Sequence, residues 1–326
     1  MRPAPALACL VAAAMILGAC AGHEWASPLD LARALGGDAS LRSRLLLEWR
    51  LPRVVAAGLV GALLGLGGAI FQGVFRNPLA EPYLLGSAGG AAVGATVALL
   101  VPLGVPSGYA LALLSFAGAW GATLLVLGVG RLAGTVDAAG LLLAGVAVAA
   151  MLGAIRSFLM LALSDDTVSL QVVLSWTLGG IQTPTWLGVT LLLALTAGCL
   201  AAAFALARGL DFLGLGTDMA HGFGLDPARF VGIAVLVAAA IVAVAVAHGG
   251  LVAFVGLIAP HIGRWWVGPR HRALLPVSAA LGGILVLVCD GIARSILPPA
   301  EIPLGLITAV VGGPFFLFVL ARRLRA

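Results

Sequence analysis

The chain has 326 residues, is 62% hydrophobic and only 10% charged, and carries a net charge of +5, with a mean hydropathy of +1.15. Soluble domains are nearer half apolar and a quarter charged, so that class is excluded. Charge-free runs longer than the roughly 20 residues of a membrane-crossing helix point to an all-α polytopic membrane protein; a β-barrel would show short alternating segments instead. The basic excess does not point to nucleic acid, because the 18 basic residues are all arginines scattered through loops.

Ten spans are expected, at about 5–22, 53–73, 84–101, 109–130, 139–163, 187–206, 228–247, 250–263, 273–294 and 303–321. No soluble domain interrupts them, and the whole chain, 1–326, reads as one transmembrane unit. Arg2 and the apolar run to "LGAC" have the layout of a lipoprotein signal peptide. The chain goes on crossing the membrane, so an uncleaved first span is expected instead. Arginine counts set the orientation. With the N-terminus inside, Arg2, Arg76, Arg131, Arg208, Arg229, Arg264, Arg270, Arg272, Arg322, Arg323 and Arg325 are cytoplasmic, while Arg33, Arg42, Arg44, Arg50, Arg53 and Arg294 are outside.

Along the chain, Arg50 and Arg53 flank Leu51-Pro52 at the start of the second span. With Arg294 they are outer-rim guanidiniums, suited to carboxylates on a docking partner, or else to headgroups and local ion pairs. Asp290 lies four residues before Arg294, the favourable order for an intrahelical pair, so part of the role of Arg294 is expected to be structural. "FRNPLAEP", Phe75–Pro82, reads as an ordered turn on the inside. "GTVDAAG" opens the fifth span, with Val136, Asp137, Ala138, Ala139 and Gly140 all short; Asp137 suits an N-cap. Arg156 lies within the fifth span, where charge is costly. It either faces a cavity that favours an anion or snorkels to the outer interface. Asp165-Asp166 reads as an outer loop.

"LGLGTDMAHGFGLD", Leu213–Asp226, interrupts the apolar runs on the inside. Thr217 and Asp218 suit a helix start, Met219, Ala220 and Phe223 share one helical face, and Gly224 suits a stop. A short surface helix between glycines is expected. In "APHIGRWWVGPRHR", His261 has no second ligand at metal spacing, and Trp265 and Trp266 read as an interfacial belt. The four cysteines have no metal-like spacing either and read as small packing residues.

The stretches "RLPRVVAAGLVGALLGLGGAIFQGVFRNPLAEPYLLGSAGG" from Arg50, "LLLAGVAV" from Leu141, "GLVAFVGLIAPHIGR" from Gly250, "PRHRALLPVSAALGG" from Pro269 and "AEIPLGLITAVVGGPFFLFVL" from Ala300 together resemble the FecCD type of permease. These are subunits of ABC importers for ferric siderophores, haem and vitamin B12, and the resemblance covers nearly the whole chain in order.

It implies a type II importer permease fold of about ten spans in the cytoplasmic (inner) membrane. A second copy forms a homodimer, two cytoplasmic ATPase subunits bind ATP and Mg, and a periplasmic binding protein delivers a metal chelate. It further implies docking of that protein on Arg50, Arg53 and Arg294, and a cytoplasmic gate in the region of Val136, Asp137, Ala138, Ala139 and Gly140. The ATPase would be coupled through Gly216, Thr217, Asp218, Met219, Ala220, His221, Phe223 and Gly224, within a segment at about 208–227. The family commonly has an acid at the Thr217 position and a base at His221; this chain departs at both, so an apolar grip through Met219 and Phe223 is the better expectation.

The chain itself has no P-loop and no lysine, hence no nucleotide site, no cofactor and no catalytic residue is expected in it. The competing reading is an ion-coupled secondary transporter, which needs acids deep in the spans; Asp290 is the candidate.

Overall fold

The computed structural model describes residues 3–105, 107–132, 138–163, 167–182 and 184–324. It contains α1 (Pro3–Cys20), α2 (Pro28–Leu35), α3 (Leu41–Leu45), α4 (Leu51–Val74), α5 (Ser87–Leu100), α6 (Ser107–Leu132), α7 (Ala138–Leu163), α8 (Thr167–Thr177), α9 (Trp186–Gly214), α10 (Thr217–Gly222), α11 (Pro227–Gly249), α12 (Val255–Val267), α13 (His271–Ala293) and α14 (Leu304–Leu324). Seven of these helices are long and apolar enough to cross a membrane, and α1 and α5 are shorter apolar helices. The ten expected spans correspond to α1, α4, α5, α6, α7, α9, α11, α12, α13 and α14, with α9 running about two turns further inward than its apolar run suggested.

The core is organised around α4, whose central and inner turns are buried among α13, α11, α9 and α12. Small residues permit this closeness. A methyl group on Gly61 would fall on the Gly282 carbonyl, and one on Gly65 would fall on that of Ser278. The α5–α6 pair repeats the device, with Gly90 and Gly118 facing each other's carbonyls. In contrast, α7 is the least enclosed of the long helices.

Two regions depart from the sequence expectation. The turn after α4 does not stay at the inner surface. Residues 76–86 climb back beside α12, where a methyl on Gly68 would strike Gly256. Gly68 lies six residues before the inner end of α4, so this level is about 9 Å inside the helix end at 1.5 Å per residue. There α12 begins as a half-helix, with Phe254 at φ 67° as its N-cap. Glu81 supplies the missing acceptor, its Oε1 taking the Phe254 N–H at 2.7 Å. The Tyr83 hydroxyl donates to the Val252 carbonyl at 3.1 Å and lies 3.2 Å from the Val252 N–H. Glu81 is thus a carboxylate at membrane depth, not part of a surface turn.

The second departure is α8, a helix where only a loop was expected. The segment after it is tied to the mouths of α11 and α14: the Gly180 N–H donates to the Gly249 carbonyl at 3.0 Å, and the Leu304 N–H donates to that of Gly179 at 2.9 Å.

Candidate functional site

The outer rim is a charge network built on Asp290 at the end of α13. Asp290 is 1% exposed. Its Oδ1 accepts from Arg53 Nε and Nη2 at 3.3 and 3.0 Å, and its Oδ2 accepts from Arg294 Nε at 2.9 Å. The rest of the Arg294 guanidinium turns inward, donating to the carbonyls of Ala21 (2.7 Å) and Gly18 (2.8 Å) at the end of α1. Burying charge requires this kind of complete pairing. Arg294 is 6% exposed, with every side-chain nitrogen engaged inside the chain, so the docking role expected for it is corrected to a structural one, along the line its spacing from Asp290 suggested.

Arg53 is partly covered and reaches outward to Glu301 at 2.9 Å. Arg50 lies over Gly22 and donates to the Glu24 carbonyl at 2.7 Å. Around them, α2 and α3 form a collar that the apolar pattern did not reveal. Its α2 starts with a capping box between Ser27 and Asp30, and Arg42 pairs with Asp30 at 3.3 Å. Both Asp30 and Asp38 have carboxyls held below the usual range, chiefly by bonds from Ser27 and Ser40 respectively.

At the inner end, the expected short helix is present as α10, between Gly216 at φ 109° and Gly224 at φ 81°, backbone angles that favour glycine. Met219 and Phe223 are each 54% exposed. The Phe223 ring stacks on Phe212 of α9, with centroids 4.9 Å apart. Thr217, Asp218 and His221 are also exposed. Ala220 is not: it is fully buried, which corrects its expected place on one face with Met219 and Phe223 and its expected part in ATPase coupling, and makes it the foot on which α10 stands. Asp226 caps α11 by accepting the Arg229 N–H at 3.2 Å.

Behind α10, the inner ends of α4, α9, α12 and α13 are linked by polar side chains. Asp211 accepts both the N–H of His271, at 2.8 Å, and its Nδ1–H, at 2.7 Å. Pro260 lies inside α12 and cannot donate to the Gly256 carbonyl four residues back. Gln72 of α4 fills that gap, its Nε2 donating to Gly256 at 3.2 Å and Leu257 at 3.3 Å, while its Oε1 accepts from Arg264. A proline inside a helix was the sequence signal for such a donor; nothing in the sequence pointed to Gln72 as its source.

Of the residues expected at the gate, Val136 and Asp137 lie outside the described residues. Ala138 is described only as the first residue of α7; Ala139 is exposed and Gly140 half-buried. Asp165 and Asp166 also lie outside the described residues. Arg156 Nη2 donates to Thr177 Oγ1 at 2.8 Å, tying α7 to α8. Exposed on α7 are Leu143, Val146, Phe158 and Leu161. His261 packs edge-on to Trp265 and Phe315.

The sequence matches the FecCD transport family over residues 10–322. The chain belongs to that family. It is 40% identical over 279 residues to the iron(3+)-hydroxamate import system permease protein FhuB of Bacillus subtilis, covering 85% of this chain and 71% of that one. It is 37% identical over 321 residues to the vitamin B12 import system permease protein BtuC of Salmonella typhi, covering 98% and 94%. The fold is similar to that of a metal-chelate type ABC transporter in an inward-facing conformation, with a TM-score of 0.82, 28% identity and 97% of each chain covered.

This FecCD chain is therefore the multi-pass permease component of an ABC importer, a component whose family carries no catalytic site of its own. The secondary-transporter reading is not favoured, and the geometry agrees: Asp290, its candidate ion carrier, is occupied by two arginines.

Proposed function

We propose that this permease passes a bulky metal chelate, a corrinoid or a ferric siderophore, from the periplasmic side to the cytoplasm across the inner membrane. It would do so as a homodimer, each copy acting as one transmembrane unit. The observation that carries the cargo class is the pair of relatives, one named for vitamin B12 and covered almost end to end, the other for iron(3+)-hydroxamate.

The sparsely packed face of α7 supports the dimer and the pathway. Apart from Ser157 its exposed residues are apolar, and an apolar face of this size calls for a partner or a cargo. The segment around Val136, Asp137, Ala138, Ala139 and Gly140 is the gate in this reading, and Arg156 steadies the outer half of α7.

ATP hydrolysis and its Mg requirement belong to two partner ATPase subunits, which engage α10 through Met219 and Phe223, beside Gly216, Thr217, Asp218, His221 and Gly224. A periplasmic binding protein docks on the collar. Arg50 and the outward edge of Arg53 contribute there, and the exposed Arg44 joins them. The test is uptake into proteoliposomes containing the permease with its ATPase, using labelled cobalamin and ferric hydroxamate presented on the binding protein. ATP-dependent uptake of one of them is expected; uptake driven by an ion gradient without the ATPase overturns the reading.

A further inference from the structure

We propose that the cavity at the inner end of α9 is a phosphate site occupied by the headgroup of an anionic phospholipid. The cavity has a volume of about 780 Å³, and its wall carries Arg76, Arg264 and Arg270 with His271 between them. Among the described residues, none of these three arginines is ion-paired with a carboxylate. Asp211 also lines the cavity, but its Oδ1 is taken up by His271.

Arg264 donates to the neutral Gln72, a bond that orients its guanidinium and leaves its charge uncompensated. His271 has a side chain only 9% exposed. Its Nδ1–H is spent on Asp211, and its Nε2, an acceptor, packs against Gly73, so the ring fixes the wall and leaves anion binding to the arginines. Three guanidiniums without carboxylate partners around one cavity are an arrangement that an anion completes. A phosphate diester matches it, since planar guanidiniums present paired donors to phosphate oxygens.

The location favours a lipid over free phosphate. The cavity lies where α9 reaches the inner surface, and α9 exposes Phe204 about 9 Å outward of the cavity residue Leu210, within reach of an acyl chain of the inner leaflet. The exposed Trp265 and Trp266 follow Arg264 directly, as aromatic residues do at headgroup level. Basic pockets between helices on the cytoplasmic side have this chemistry for anionic headgroups. Leu215, in the linker just before α10, shares the same wall, so an occupant would brace the base on which the coupling helix stands.

The test uses the full permease in nanodiscs of phosphatidylcholine with increasing phosphatidylglycerol, lipid retention being counted by native mass spectrometry after extraction. Selective retention of phosphatidylglycerol is expected, weakened about thirtyfold in Arg76→Gln/Arg270→Gln, as expected for the loss of two cations at about 1 kcal/mol each. Arg76→Lys/Arg270→Lys should keep most of it, and Arg208→Gln/Arg229→Gln, outside the cavity wall, should keep all of it. A thermal melt of each variant reports that it is folded.

Equal loss in the Arg208→Gln/Arg229→Gln control would assign retention to general surface charge and overturn the proposal. Displacement of the lipid by millimolar inorganic phosphate alone would overturn the lipid source. Unchanged retention in Arg76→Gln/Arg270→Gln, coupled with lost ATPase association, would overturn it in favour of a protein partner.

Discussion

Asp290→Ala is the sharpest perturbation of the outer rim. In the native chain this 1%-exposed carboxylate accepts three N–H groups from two arginines. Without it Arg294, 6% exposed, keeps only two carbonyl partners for its charge. Removing one partner of a buried pair costs about 3–5 kcal/mol, because the remaining charge is uncompensated. Arg53 loses less, since Glu301 still holds it. With about 2–4 °C per kcal/mol for chains somewhat smaller than this one, the melting point should fall on the order of 10 °C.

The protein carries its own probe: Cys289 and Cys20 are buried beside the network, so a thiol-reactive dye reports its opening on heating against the baseline of the exposed Cys9. Glu301→Ala, which removes a half-exposed partner, should cost less than about 1 kcal/mol. Asp290→Leu combined with Arg294→Met should recover at least half of the loss, as apolar replacements of buried ion pairs do. Asp290→Ala melting no lower than Glu301→Ala, or a double variant as weak as Asp290→Ala, would refute the reasoning.

Four other outcomes are expected. Gly61→Ala places a methyl on the Gly282 carbonyl and should destabilise by about 1–3 kcal/mol, read in the same dye assay, while Gly198→Ala, in open space on α9, should be neutral. Glu81→Leu strands the Phe254 N–H at membrane depth and should cost about 1–3 kcal/mol; Glu81→Gln, which keeps the acceptor, should cost less, and equal losses would show that the hydrogen bond is not what matters. Met219→Ser/Phe223→Ser should lower co-purification of the ATPase at least tenfold while lowering the melting point by only a few degrees through the lost Phe223–Phe212 stack, whereas Asp218→Asn should change co-purification little, checked by pull-down in detergent. Arg50→Glu should weaken binding-protein docking at low salt, as rim charges do through association rate, measured by surface plasmon resonance on immobilised permease; unchanged association would remove Arg50 from the docking surface.

The spans were legible because their signal is one of composition: each apolar run is long, and its ends are marked by arginine, proline or glycine. The short helix α10 was legible for the opposite reason, as a half-polar insert between two glycines that adopt positive φ. The depth of Glu81 was not. Its neighbours Asn77, Pro78 and Pro82 are turn formers wherever a turn occurs, and local pattern carries no information on whether a turn lies at the surface or against a half-helix. Nor was the inward turn of Arg294 fully legible: Asp290, at i−4, was visible, but the carbonyls of Gly18 and Ala21 come from the other end of the chain. The buried side of Ala220 escaped because six residues of helix contain too few turns to mark a face. The helix α8 escaped because "TVSLQVVLSWT" has no clear period.

The tight seams of α4 bear on how such a permease changes over evolutionary time. Where Gly61, Gly65 and Gly68 meet backbone carbonyls, even one added carbon collides, so inheritance at those positions is nearly frozen by packing alone. The outward side chains of α7 touch little within their own chain, and Leu143, Val146, Phe158 and Leu161 can be exchanged at small cost to folding. A lineage can therefore vary the exposed face of one helix while the block around α4 is passed on unaltered.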